Sequence, residues 1–171
     1  SDVCSSDLVL SARGIQHFRR PETEAGVAVT PVVQRERTGC GIASVAVVAG
    51  VSYAQAKRAA NRLGIFADDP RLWSETSPVR QLMTHFGVRA AHGEEPFVSW
   101  SALPEVALLA IKWDRDKDRA FWHWVVFWRS PGGPVVLDSK QALRRHVRRD
   151  FGRMRPKWWI AVTRETVGRG R

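Results

Sequence analysis

The stretch that most limits how this chain can fold is Phe121 to Trp128, FWHWVVFW, in which His123 is the one polar residue. A strand turns successive side chains to opposite faces, so a run that is apolar on both has to be covered on each side. Its length, between the charged DRDKDR and the turn-forming SPGGP, suits a strand in the middle of a sheet better than a helix. His123 stands at the beginning of that strand, where an imidazole without a partner is costly. SPGGP, Ser130 to Pro134, predicts a hairpin turn, and Val135-Val136-Leu137 the partner strand, ending at Asp138. The two ends of such a hairpin lie side by side, which brings the Asp138 carboxylate within reach of the imidazole.

Upstream of this hairpin the periodicity is helical. Cys40 stands between Gly39 and Gly41, just where a polar approach gives way to the small apolar run Ile42 to Ala49. Gly50 ends that helix, and Ser52 caps a second one reaching Leu63, with Tyr53, Ala56, Ala60 and Leu63 inward. Phe66 to Thr76 reads as a polar loop. Ser77-Pro78 opens a third helix, which buries Val79, Leu82, Met83 and Phe86 and stops at Gly87. Strands are then predicted at Val88 to Ala91 and Ala107 to Trp113, with DRDKDR as a charged turn before the central strand. Leu143, Val147 and Phe151 suggest a basic amphipathic helix, and Trp158 to Val162 a last strand. Helices first and an antiparallel sheet after is an α+β order. Residues 1–8, SDVCSSDL, differ from the rest in composition and read as a non-native appendage that includes Cys4. Residues 9–30 form a lead-in, and residues 31–171 a single domain without internal repeat.

A thiol at the head of a buried helix sits among unpaired N–H groups that favour an anion, and a thiolate is one. Gly39 and Gly41 are expected to let the backbone turn sharply and a second molecule approach the sulfur. Gln34 precedes Cys40 by six residues. Its amide N–H is expected to point to the same place as the Cys40 backbone N–H, and two such donors make an oxyanion hole.

Gln34 followed by Cys-Gly at the head of a small-residue helix, then HWVV and VLDS, resembles the papain-like cysteine peptidases. The likeness is greatest to their compact bacterial branch, the bacteriocin-processing peptidase domains that cut double-glycine leaders. It runs from Val33 to Ser139. The resemblance implies a papain-like fold with N-terminal helices packed on a C-terminal antiparallel sheet. It implies Cys40 as nucleophile, His123 as base and then acid, Asp138 as the group orienting His123, and Gln34 with the Cys40 N–H as oxyanion hole. The reaction implied is hydrolysis of a peptide bond through a thioester, with no cofactor. In the exporter-linked peptidases an acidic residue usually stands next to the cysteine; here Thr38-Gly39 precede it, which sets double-glycine leader specificity apart from the thiol chemistry. The same triad serves thiol acyltransferases and glutamine deamidases, and the same fold could serve as a non-catalytic peptide-binding module. Taken singly, Cys40 and His123 are common core residues, and Asp138 is a common strand-end residue.

The chain of 171 residues carries a formal charge of +10, much of it in RRHVRRDFGRMRPK and the closing GRGR. A solvated basic face accounts for this more simply than nucleic acid, though an acidic partner is a further alternative. With two cysteines the chain has no disulfide framework, and a reducing, cytoplasmic setting is expected. No apolar run is long enough to span a bilayer, although an exporter partner is compatible with the resemblance. His17, His85, His92 and His146 have no ligand spacing for zinc. The partner expected is a peptide or protein substrate.

Overall fold

A computed structural model describes residues 29–164 of the chain. The expected appendage, nearly all of the lead-in with His17, and the closing GRGR lie outside the described residues. Three helices come first: α1 (Cys40–Ala49), α2 (Tyr53–Arg62) and α3 (Ser77–His85). Each starts and stops where local chemistry dictates. Gly50 takes the left-handed conformation (φ 70°) that ends α1. Ser52 caps α2 in a reciprocal capping box with Gln55, and Pro78 lies in the first turn of α3. Phe66 to Thr76 is more ordered than a polar loop: Pro70–Trp73 forms a 3₁₀ turn that buries Leu72.

The strands are β1 (Val88–Ala90), β2 (Glu95–Pro96), β3 (Val106–Asp116), β4 (Arg119–Ser130), β5 (Gly133–Asp138), β6 (Val147–Arg148) and β7 (Trp158–Arg164). Their order in the sheet is β1-β7-β3-β4-β5-β6, with β2 also on β7, and every pairing is antiparallel. The protein is therefore α+β, with three helices and an antiparallel sheet. The helices cover one face through a core that includes Leu108, Trp124, Val126 and Ile160. A second core, with Leu109, Val125, Phe127 and Met154, backed by Trp100 and Phe151, covers the other face. β4 is thus central and doubly covered, as its unbroken apolar run requires.

Three details differ from the sequence-based expectations. β3 and β4 run on through most of DRDKDR, so the turn shrinks to Lys117-Asp118, with Lys117 at φ 52°. His123 consequently lies inside β4 and not at its start. Residues 143–150 form no helix and Phe151 opens only a short 3₁₀ turn: β6 pairs with the outer edge of β5 (Val136↔Arg148, Leu137↔Val147), and Phe151 packs at 4.8 Å on Trp100. Here the unmet hydrogen-bonding groups along β5 outweigh a helical spacing of three apolar residues. Among the described residues no single helix is long and apolar enough to cross a membrane; α1, the most apolar, has ten residues, nine of them buried.

Candidate active site

Cys40 is the first helical residue of α1 and is 2% exposed. Its cap, Gly39, has no side chain to satisfy the first N–H groups, and no acidic residue lies in the first turn. The positive end of the helix is therefore open to the sulfur. The approach to Cys40 is held from two sides. Glu36 accepts a hydrogen bond from the Tyr53 hydroxyl (2.5 Å) and an ion pair from Lys57, both on α2. Burial, then Glu36, raises the Tyr53 phenol well above its ordinary range, so it stays a donor. Thr38 Oγ1 donates to the Ala67 carbonyl (2.5 Å).

This packing gives the two glycines a reason other than the expected one. Gly39 has an ordinary φ of −70°. A Cβ there would lie 2.2 Å from the Tyr53 hydroxyl, and one on Gly41 would lie 2.8 Å from Val79 Cγ2. The close approach they permit is that of the protein's own side chains.

His123 and Asp138 meet as the hairpin predicts. Asp138 pairs with Val125, so its carboxylate lies diagonally from His123, and Nε2 stands 2.7 Å from Oδ1. The carboxylate is 1% exposed and accepts two further bonds, from the Lys140 N–H (3.1 Å) and from Arg148 Nη1 (2.8 Å). The other edge of the Arg148 guanidinium forks onto Asp150 at 3.0 and 2.8 Å. Burial works against a charged His123. The bond to Asp138, and the hydrogen bond and charge of Cys40, outweigh it and raise the imidazole to about 9. Burial likewise pushes Asp138 up, but His123, the Lys140 N–H and Arg148 hold it down at about 2. At neutral pH the pair is imidazolium and carboxylate. Because Nε2 is committed to Asp138, Nδ1 is the nitrogen left for the sulfur.

Gln34 is placed beside this group but is otherwise engaged. Its Nε2 donates to the carbonyls of Glu36 (2.9 Å) and Arg37 (3.0 Å), and its Oε1 accepts from Ser139 Oγ (2.9 Å). Its backbone N–H donates to the Ser139 carbonyl (3.0 Å). Gln34 thus clasps the Cys40 approach to the end of β5, one residue beyond Asp138. An oxyanion held by this amide has to displace one of its loop bonds.

Sequence reasoning missed Arg148 as the third partner of Asp138, because RRHVRRD reads as a solvated face. It also missed Ser139 as the other half of the Gln34 clasp. His146 has a backbone role: Nδ1 lies 2.9 Å from the Asp138 carbonyl, and its own carbonyl accepts the Asp138 N–H. Trp124 is fully buried and donates to the Leu72 carbonyl (2.7 Å), which makes it a core residue. Among the described residues no three His, Cys, Asp or Glu side chains cluster as metal ligands.

What the arrangement can do is thiol chemistry: an imidazolium to pair with a thiolate and to donate a proton, a buried anion to hold that imidazolium, and helix N–H groups for a developing negative charge. No family model matches the chain, and no curated protein is similar enough to be matched to it.

Proposed function

We propose that this domain is a cysteine peptidase of papain-like fold that cuts a peptide bond with Cys40, His123 and Asp138. The observation that carries the reading is the 2.7 Å bond between His123 and the buried Asp138, together with the Cys40 thiol at the head of α1, which helps to raise the imidazole. Cys40 Sγ attacks the carbonyl carbon, and the carbonyl oxygen takes the negative charge beside the first N–H groups of α1. His123 gives its Nδ1 proton to the leaving amine as the C–N bond breaks, which leaves a thioester on Cys40. His123 then takes a proton from water. The hydroxide adds to the thioester, the acid departs, and Cys40 leaves as the thiolate facing the re-protonated His123, which restores the starting pair. Asp138 keeps the ring oriented and its charge balanced throughout. A free thiol in this role calls for a reducing compartment such as the cytoplasm.

The test is iodoacetamide labelling at about pH 6, read by intact mass and peptide mapping, together with cleavage of an unstructured protein substrate such as casein. Cys40 labels faster than Cys4, the advantage disappears in His123→Ala, and Cys40→Ala abolishes cleavage while remaining folded. Cleavage that survives Cys40→Ala, or Cys40 labelling no faster than Cys4 at any pH, overturns the reading.

A further inference from the structure

Two cavities share the Arg148 guanidinium, which bonds the buried carboxylate of Asp138. The first, about 410 Å³, is lined by five cationic side chains, Lys112, Arg148, Arg153, Arg155 and Lys157, and by no carboxylate. The second, about 710 Å³, shares Arg148 and Arg153 with it and adds Arg144, Arg145 and Arg149. The single carboxylate on its lining, Asp150, is already held by the Arg148 fork.

Arg148 is neutralised by Asp138 and Asp150, but the other seven cations lining the two cavities repel one another, and an anion with several charges would relieve that repulsion. Lys112 is set there by a bulge in β3 between Ile111 and Asp114, at a left-handed φ of 51°. Desolvation of its ammonium, then the neighbouring Lys140, holds its pKa below the ordinary lysine value. Two contacts join this basic groove to the thiol site: Arg148 bonds Asp138 directly, and Ile111, on the cavity wall, is the cross-strand partner of His123.

We infer that this groove holds a carboxylate-rich stretch of polypeptide, the acidic flank of the peptide presented to Cys40. The inference rests on the peptidase reading for its substrate, but not for the groove. A peptide fits better than a nucleic acid. Sequence-independent binding of single strands needs aromatic faces on which bases stack. Trp113 is the one aromatic residue lining either cavity, and Lys157 Nζ already stands 5.0 Å over its ring. What remains is a strip of cations whose guanidinium forks match carboxylates.

The experiment is fluorescence anisotropy with a labelled oligoglutamate peptide, a neutral Gly-Ser peptide of equal length, and a single-stranded oligonucleotide of matched charge. Each is titrated with the full chain, with Cys40→Ala and with Arg153→Glu/Arg155→Glu. Both exchanged arginines are exposed, and Arg153→Gln/Arg155→Gln serves as a milder second variant should charge reversal impair folding. Oligoglutamate binds the wild type and Cys40→Ala alike, the neutral peptide does not, and charge reversal weakens binding by about tenfold or more. Added salt weakens it too. Equal binding of acidic and neutral peptides, binding unchanged in both arginine variants, or an oligonucleotide that outcompetes the peptide overturns the inference. A Cys40 that fails the labelling test while oligoglutamate still binds defeats the peptidase reading alone. A reactive Cys40 without oligoglutamate binding defeats the groove alone.

Discussion

Replacing Asp138 with Asn tests the centre of the site, because it removes the charge facing His123 and keeps the shape. In the wild type His123 is raised from an ordinary 6.5 to about 9 despite burial that opposes it. At about 1.4 kcal/mol per unit, the stabilisation of the imidazolium is on the order of 3 kcal/mol. The depression of Asp138 to about 2 is largely the same contact seen from its other end, so the two do not add. In Asp138→Asn the burial remains and the largest favourable contribution is gone, so the His123 pKa falls back toward its ordinary value. The consequence for stability has a definite sign. His123 has a raised folded value, so its contribution is complete below about pH 6.5 and is lost as pH rises through about 9. Asp138 has a lowered one, so its contribution is complete above about pH 4 and is lost as pH falls through about 2. The stability difference between wild type and Asp138→Asn is therefore largest between about pH 4 and 6.5 and shrinks in alkali. NMR titration of the His123 ring, assigned with His123→Gln, gives the pKa; urea unfolding across the pH range gives the energy. A wild-type His123 titrating near 6.5, or a stability difference flat from acid to alkali, refutes the reasoning.

Three further substitutions probe the supports of the site. Gly39→Ala drives a Cβ into the Tyr53 hydroxyl and costs about 1–3 kcal/mol, seen as a lower urea midpoint; adding Tyr53→Phe recovers part of that loss if the overlap is its cause. Arg148→Gln removes a charge-assisted bond from a buried carboxylate, costs about 2 kcal/mol and raises the Asp138 carboxyl, which moves the acid unfolding transition to higher pH. Gln34→Ala leaves Ser139 Oγ and the Glu36 and Arg37 carbonyls without their bonds, which lowers Tm and slows labelling of Cys40; an unchanged Tm refutes the clasp.

Many signals that lay within one element or one hairpin agree with the structure. The helix at Cys40, the Ser52 cap, the doubly covered β4 and the turn that brings Asp138 to His123 all depend on neighbours a few residues apart. The exceptions are instructive because each has a distant cause. Leu143, Val147 and Phe151 have helical spacing, yet the edge of β5 takes that segment into the sheet. Gly39 and Gly41 suggested room for an incoming molecule, yet Tyr53 and Val79 fill it. Gln34 was legible as a residue near the thiol, but the direction of its amide depends on Ser139, 105 residues further on.

The amino-acid sequence by itself determined the three leading helices and the main strands after them, the place of the thiol at a helix start, and the meeting of His123 with Asp138. Periodicity, capping and turn chemistry act over a few residues and can be read along the chain. Only the tertiary structure decided that β7 lies between β1 and β3, that Arg148 is the third partner of Asp138, and that scattered cations line one groove. Those outcomes depend on which edges and charges are left unmet once the local elements pack, and no local pattern records that.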